Sequence, residues 1–340
     1  MYMCIPFGLS HRGEQTYLYT IKNEKITAKL TDFGATLVQL WVPDKNGDLT
    51  DVVLGYEEAM GYVTNDCYFG AIVGRNCNRI KDGRFMIGDK VVQLQTHDNG
   101  NSLHSMPDGF NHRVWKVDSQ TEDTITFYLH SPDGDQGFPG NADVYVTYTL
   151  EDMTLKVTFN AQSDADTVFN FTNHSAFNMA GQQNTHLAMK QILTLPGEIF
   201  TPADAQSITT GEERPVEGTP MDFRNGKPIG QDINADYEPL HFQSGYDHNF
   251  AVKDGIAAIL YDPTYGRKMT IQTDCPGVHF YSGNYMADFK GKDGAIYAFR
   301  SGLCLETQFY PDAVHKPQWK QPITKANTPY HSVTKFIFEV

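Results

Sequence analysis

The stretch DVYVTYTLEDMTLKVTFNAQ, residues 143–162, decides the fold class. Val144, Val146, Tyr148 and Leu150 alternate with polar or outward residues up to a Glu151-Asp152 corner, and Leu155, Val157 and Phe159 then alternate again. A period of two belongs to half-buried strands, because successive side chains leave opposite faces of a pleated backbone. The segment therefore reads as a β-hairpin. The same alternation recurs in KITAKL near residues 26–30, TITFYL at 124–129, RKMTIQT at 267–273 and the terminal TKFIFEV. Helical periodicity is almost absent, YEEAMGYV at 56–63 being the best short candidate. With 29 Gly and 17 Pro punctuating the strands, the chain is expected to be all-β, a large antiparallel β-sandwich or barrel. No repeat, linker or charge block marks a boundary, so residues 1–340 are read as one domain. Residues 181–245 carry fewer strand signals and more turns, which predicts long loops crossing the sheet.

Composition narrows the function. The 340 residues include 41 Asp and Glu against 27 Lys and Arg, for a formal charge of −14. That balance argues against nucleic acid, whose phosphates call for clustered cations, and against an anionic membrane surface. A chain of this size buries roughly three quarters of its unfolded surface, so a substantial core is expected. Five scattered cysteines with no CxxC pair suggest neither a disulfide framework nor a zinc site. No window approaches the run of about twenty apolar residues that a spanning helix needs. The start, MYMCIPFGLSHRGEQ, has no basic region and only a short apolar stretch broken by Pro6, unlike a signal peptide. The default compartment is the cytoplasm; a trimmed secreted or periplasmic chain would read the same. Oligomeric state leaves no signal.

Five segments set polar or charged residues among apolar, turn-rich neighbours: GRNCNRIKDG (74–83), NSLHSMPDGF (101–110), FNFTNHSAFN (169–178), GYDHNF (245–250) and LCLETQFYPDAVH (303–315). Taken singly, each key residue has an ordinary explanation. Glu306 fits a solvent-facing position of an alternating strand, and His174 a core or surface histidine. Arg79 fits a rim ion pair, and Asp247 an Asx turn. A charge is rarely fully buried unless paired or used, so where these residues lie in the fold is decisive.

Together the blocks NRIKDG, LH followed by Gly-Phe and Trp115, SPDGDQGFPG, NFTNHSAFN, GYDHNF, PGVHFYSGN and CLETQFYPDAVH resemble the galactose mutarotase (aldose 1-epimerase) family, from about residue 70 to 316. The resemblance implies a β-sandwich of the galactose mutarotase-like type and an isomerase acting on free hexoses such as galactose or glucose. Acid and base chemistry of this kind requires no cofactor, and the histidine spacing shows no HExxH or paired pattern for a catalytic metal. Residue by residue, it makes His174 the general acid and Glu306 the general base, with Asn78, Arg79, His104, Asp247 and His279 at sugar-binding positions. The chemistry suits such residues: a proton leaves the C1 hydroxyl while the ring oxygen gains one, the C1–O5 bond opens, and the chain recloses on the other face. An ordinary carboxylate is ionised at pH 7, and an imidazole can be held protonated by a nearby carboxylate. Three departures surround the pocket. LHSM (103–106) stands where LHGG is usual, so the turn after His104 loses two glycines. Ala176 replaces an aromatic ring, and His279 replaces Gln.

The rival readings are a hexose-6-phosphate epimerase, which would need more cations than Arg75, Arg79 and Lys81, and a non-catalytic sugar-binding protein. A lyase or hydrolase module would require further carboxylates or a placed Tyr. The DGDQG stretch at 133–137 has some look of a calcium loop but lacks the Gly and distant Glu of an EF-hand.

Overall fold

A computed structural model describes residues 4–64 and 67–340. The hairpin at its centre pairs Ala142–Glu151 with Thr154–Ser163, Val146 opposite Phe159 and Tyr148 opposite Val157. Its apolar positions are buried, and the alternate positions are half-buried, as at Tyr145, Thr147 and Thr158, or exposed, as at Asp143 and Asn160. The pair sits within a nine-stranded antiparallel sheet that runs from Lys116–Gln120 through Tyr330–Glu339 to Lys227–Pro228. A five-stranded sheet is formed by consecutive strands between Cys4 and Asp51. A six-stranded sheet takes the order Ala176–Phe177, Leu303–Gln308, Gly277–Tyr281, Asp247–Ala251, Ile199–Thr201, Arg214–Pro215. Between residues 181 and 245 the strands are two or three residues long, as the turn-rich composition there predicts. The helical candidate shrinks to Ala59–Val63, with a second short helix at Glu238–Gln243.

One apolar core joins the three sheets. Leu30, Leu37 and Val42 reach it from the five-stranded sheet, Phe127, Val146 and Phe336 from the nine-stranded one, and Phe250, Phe280 and Leu305 from the six-stranded one. Within the six-stranded sheet the alternation has a second product. Because Phe250, Val278, Phe280, Leu303 and Leu305 face the core, their neighbours Asp247, Asn249, His279, Tyr281, Cys304, Glu306 and Gln308 share the opposite face. The register sets Asn249, His279 and Glu306 side by side across three strands. This face is not left to solvent: every residue of the Leu303–Gln308 strand is buried.

Candidate active site

Two short pairings roof that face. Arg79–Ile80 pairs with Ser102–Leu103, which brings Arg79 and His104 together, and Thr172–Asn173 pairs with Ile72–Val73, which sets His174 beside the 67–71 turn. Between roof and sheet lies a cavity of about 150 Å³, lined by Cys67, Tyr68, Asn78, Arg79, Leu103, His104, His174, Asp247, His279, Tyr281, Tyr285 and Glu306. All seven residues singled out in the sequence are in this lining. A larger cleft of about 510 Å³ crosses the outer face of the nine-stranded sheet, but it gathers no comparable set of titratable groups.

His174 Nε2 lies 3.4 Å from Glu306 Oε1, with both side chains buried. On its other side His174 Nδ1 lies 3.6 Å from the Cys304 sulfur. Glu306 is 2 % exposed, and its Oε2 is buried with no partner. The solvent-facing reading of Glu306 is therefore corrected: the residue does point away from the core, but the loops cover that side. Burial, and then repulsion from Asp247, push the Glu306 carboxyl well above the usual carboxylate range, with Arg79 acting the other way. Burial likewise draws His174 down to about 4. An imidazolium beside a carboxylate is thus disfavoured, because burial penalises both charges. Both shifts favour the form in which Glu306 is protonated and His174 neutral.

The roof supplies donors. The backbone N–H of Asn78 donates to His104 Nδ1 at 3.1 Å, so the neutral ring carries its proton on Nε2. Burial, with His174 and Arg79 adding to it, holds His104 neutral. Arg79 gives its Nε–H to Asp98 at 2.6 Å, which leaves the two amino ends of the guanidinium uncommitted to that pair. The ion pair foreseen for Arg79 is real and also aims the side chain. Asp247 belongs to a strand rather than an Asx turn and takes a 2.6 Å hydrogen bond from His279 Nε2. Burial raises the Asp247 carboxyl, but the hydrogen bond from His279, with the Arg79 charge adding to it, outweighs it and holds the group below its ordinary value.

The altered turn at LHSM shows how non-glycine residues occupy it. His104 and Ser105 both adopt left-handed backbone, φ 54° and 59°. Ser105 Oγ accepts the N–H of Asn76 at 3.0 Å and donates to its carbonyl at 2.9 Å, so the side chain that strains the turn also ties it down. Ser105→Ala, which keeps the strain and loses both bonds, is expected to destabilise by about 1–3 kcal/mol. Ser105→Gly should cost less, since it also relieves the left-handed strain. Urea denaturation of the two variants checks the order.

His104, His174 and Glu306 bring ligand-type atoms within 4.8 Å of one another. The donor chemistry does not favour a metal there, because one His104 nitrogen is taken by the Asn78 N–H and the other carries the ring proton. The 133–137 loop is spoken for as well: Asp135 pairs with Arg113 at 2.7 Å, and Asp133 accepts the Gly140 N–H at 2.6 Å. Arg75, a cation counted toward a phosphate pocket, is 1 % exposed and lies outside the cavity lining. Its guanidinium donates to the carbonyls of Ser131, Pro132, Pro139 and Gly140 and to the hydroxyls of Ser131 and Thr167.

Residues 17–336 match the family described as aldose 1-epimerase. The chain belongs to the aldose 1-epimerase family. Galactose mutarotase from Mus musculus is 38% identical over 340 residues, covering 98% of this chain and 97% of the relative. Aldose 1-epimerase from Haemophilus influenzae is 35% identical over 335 residues, covering 96% and 97%. Among solved structures, an aldose epimerase homologue from C. elegans superimposes with a TM-score of 0.88 at 27% identity, covering 95% of this chain and 99% of its own. The protein is accordingly an isomerase of the epimerase class with a galactose mutarotase-like β fold. Among the described residues, no helix is long and apolar enough to cross a membrane.

Within this aldose 1-epimerase, sequence reasoning missed several pocket residues. Tyr68 packs its ring 4.7 Å from His104 and 5.4 Å from His174. Tyr281 and Tyr285 stack at 6.2 Å with an interplanar angle of 16°. Asp98 and Cys304 act on the site through Arg79 and His174. Among 18 tyrosines only the strand alternation around His279 could have marked Tyr281, and nothing local marks Asp98.

Proposed function

We propose that the protein interconverts the α and β anomers of free aldohexoses such as galactose or glucose, with Glu306 as general base and His174 as general acid. The observation that carries this reading is the buried His174–Glu306 contact of 3.4 Å inside a pocket of hydroxyl-sized polar partners. Substrate binding next to Arg79 favours the carboxylate, and the shared proton moves to His174. Glu306 Oε2 then takes the C1 hydroxyl proton as His174 delivers its own to the ring oxygen, and the C1–O5 bond breaks to an aldehyde and a C5 hydroxyl. This leaves Glu306 protonated and His174 neutral, the form that burial favours. Rotation about C1–C2 exposes the other face, the roles reverse, and the ring closes. Each positioned transfer contributes roughly 10²- to 10⁴-fold.

The neutral sugar is preferred to a hexose phosphate because Arg79 is the one Lys or Arg in the described lining. Residues from 67 to 306 line one cavity, which supports reading the chain as a single domain. The test is anomer exchange of galactose and glucose by NMR, with the buffer rate subtracted; no acceleration with any aldohexose would overturn the proposal.

The pH profile follows from the pair. Turnover needs one shared proton. Because His174 is lowered to about 4, the rate should fall on acidification only as pH passes through about 4, where a second proton enters. Because Glu306 is raised, the alkaline fall, where the last proton leaves, should lie well above the ordinary carboxylate range. An alkaline limb centred near an ordinary carboxylate value, about 4.3, would contradict this assignment.

A further inference from the structure

We infer that His279 and Asp247 act as one hydrogen-bond acceptor for a sugar hydroxyl, which makes His279 a determinant of which aldose is preferred. The inference rests on the function proposed above and deepens it. His279 is 6 % exposed and lines the cavity; its Nε2 is 2.6 Å from Asp247 Oδ1, and its Nδ1 is buried without a partner. A carboxylate can only accept, so the bond puts a ring proton on Nε2, and in that tautomer the unpartnered Nδ1 is the lone-pair nitrogen. A buried lone pair with no donor is costly unless something arrives to fill it, and in this pocket the arriving group is a hydroxyl.

The consequence is a pocket of two unlike walls. From the sheet side come acceptors: Glu306 Oε2, Asp247 and His279 Nδ1. From the roof come donors: the Nε2–H of His104, the guanidinium of Arg79, and the amide of Asn78, whose Oδ1 is already spent on the Arg79 N–H. A glutamine at 279, the residue usual in the resembled pattern, would carry a donor and an acceptor on one group and could adapt to either hydroxyl orientation. The Asp247-locked imidazole cannot. A sugar epimer that places a hydroxyl donor toward position 279 is therefore favoured over one that does not.

Two measurements on the full chain test this. Nitrogen-15 NMR of the wild type should show His279 with an unprotonated Nδ1 that shifts when galactose or glucose is added to saturation. In parallel, His279→Gln should raise KM for the preferred of the two sugars by roughly threefold to tenfold, the worth of one hydrogen bond, with a smaller change in kcat and a changed galactose-to-glucose ratio of kcat/KM. A protonated Nδ1 in the free protein, an Nδ1 that ignores saturating sugar in a protein that accelerates anomer exchange, or an unchanged ratio in His279→Gln would each overturn the inference. Absence of any wild-type acceleration would instead sink the epimerase reading, so the two failures are distinguishable. The NMR arm stands even if the variant misfolds.

Discussion

Glu306→Gln should lower kcat for anomer exchange by roughly 10²- to 10⁴-fold while leaving the fold intact. The substitution keeps the size of the side chain, so the cavity is preserved, but an amide cannot take the C1 hydroxyl proton. His174→Asn should fall in the same range, because the ring oxygen then departs without a proton. Since the two transfers belong to one concerted step, the double variant should be little worse than either single one. Stability separates lost chemistry from lost structure. The folded Glu306 carboxyl titrates above its unfolded value, so raising the pH through that interval favours the unfolded chain, which ionises freely. Glu306→Gln escapes this cost and should be at least as stable as wild type at pH 8 by thermal melting. A variant that keeps more than about a tenth of wild-type kcat would remove Glu306 from the base role.

Asp51→Ala should destabilise the protein by about 3–5 kcal/mol, the largest stability effect expected of a single polar substitution here. Lys292 is 1 % exposed, and its ammonium lies 2.6 Å from Asp51, with the carbonyls of Val38 and Val53 as its other partners. Asp51 in turn accepts the N–H groups of Leu40 at 3.0 Å and Val53 at 3.3 Å. Removing the carboxylate strands a buried cation and two backbone donors at once. Replacing Lys292 with Met in the same background should recover part of the loss, because the stranded charge disappears, but not all of it, because the two N–H groups stay unpaired. Urea denaturation of both variants measures the difference. A loss below about 1 kcal/mol in Asp51→Ala would mean that water reaches the ammonium.

The hairpin at 143–162 was legible because its two faces see opposite environments, and two-residue alternation is the direct trace of that. Glu306 obeys the same alternation, and for that reason its burial was not legible: a sequence shows which face of a strand a residue takes, not whether distant loops cover that face. The protonation of the His174 pair went astray on the same point. Reference titration values describe groups in water, and the roof that covers the pair comes from residues 67–104 and 172–174, far along the chain from Glu306. The resemblance of whole motifs placed the seven pocket residues where single residues left each one ambiguous. Asp98 and Cys304 stayed hidden because they act through the side chains they touch.

Arg75 stands three positions before Asn78 in the segment that supplies the donor wall, yet its side chain leaves the pocket and is consumed by the 131–140 turn. The guanidinium works like a tent peg: the guy-line is the backbone from Arg75 to Arg79, and the canvas is the roof. Changes to that turn that leave every pocket residue in place can still slacken the wall facing the sugar. The boundary of what this catalyst needs therefore lies well outside its cavity, and a redesign that spares only the lining residues would spare too little.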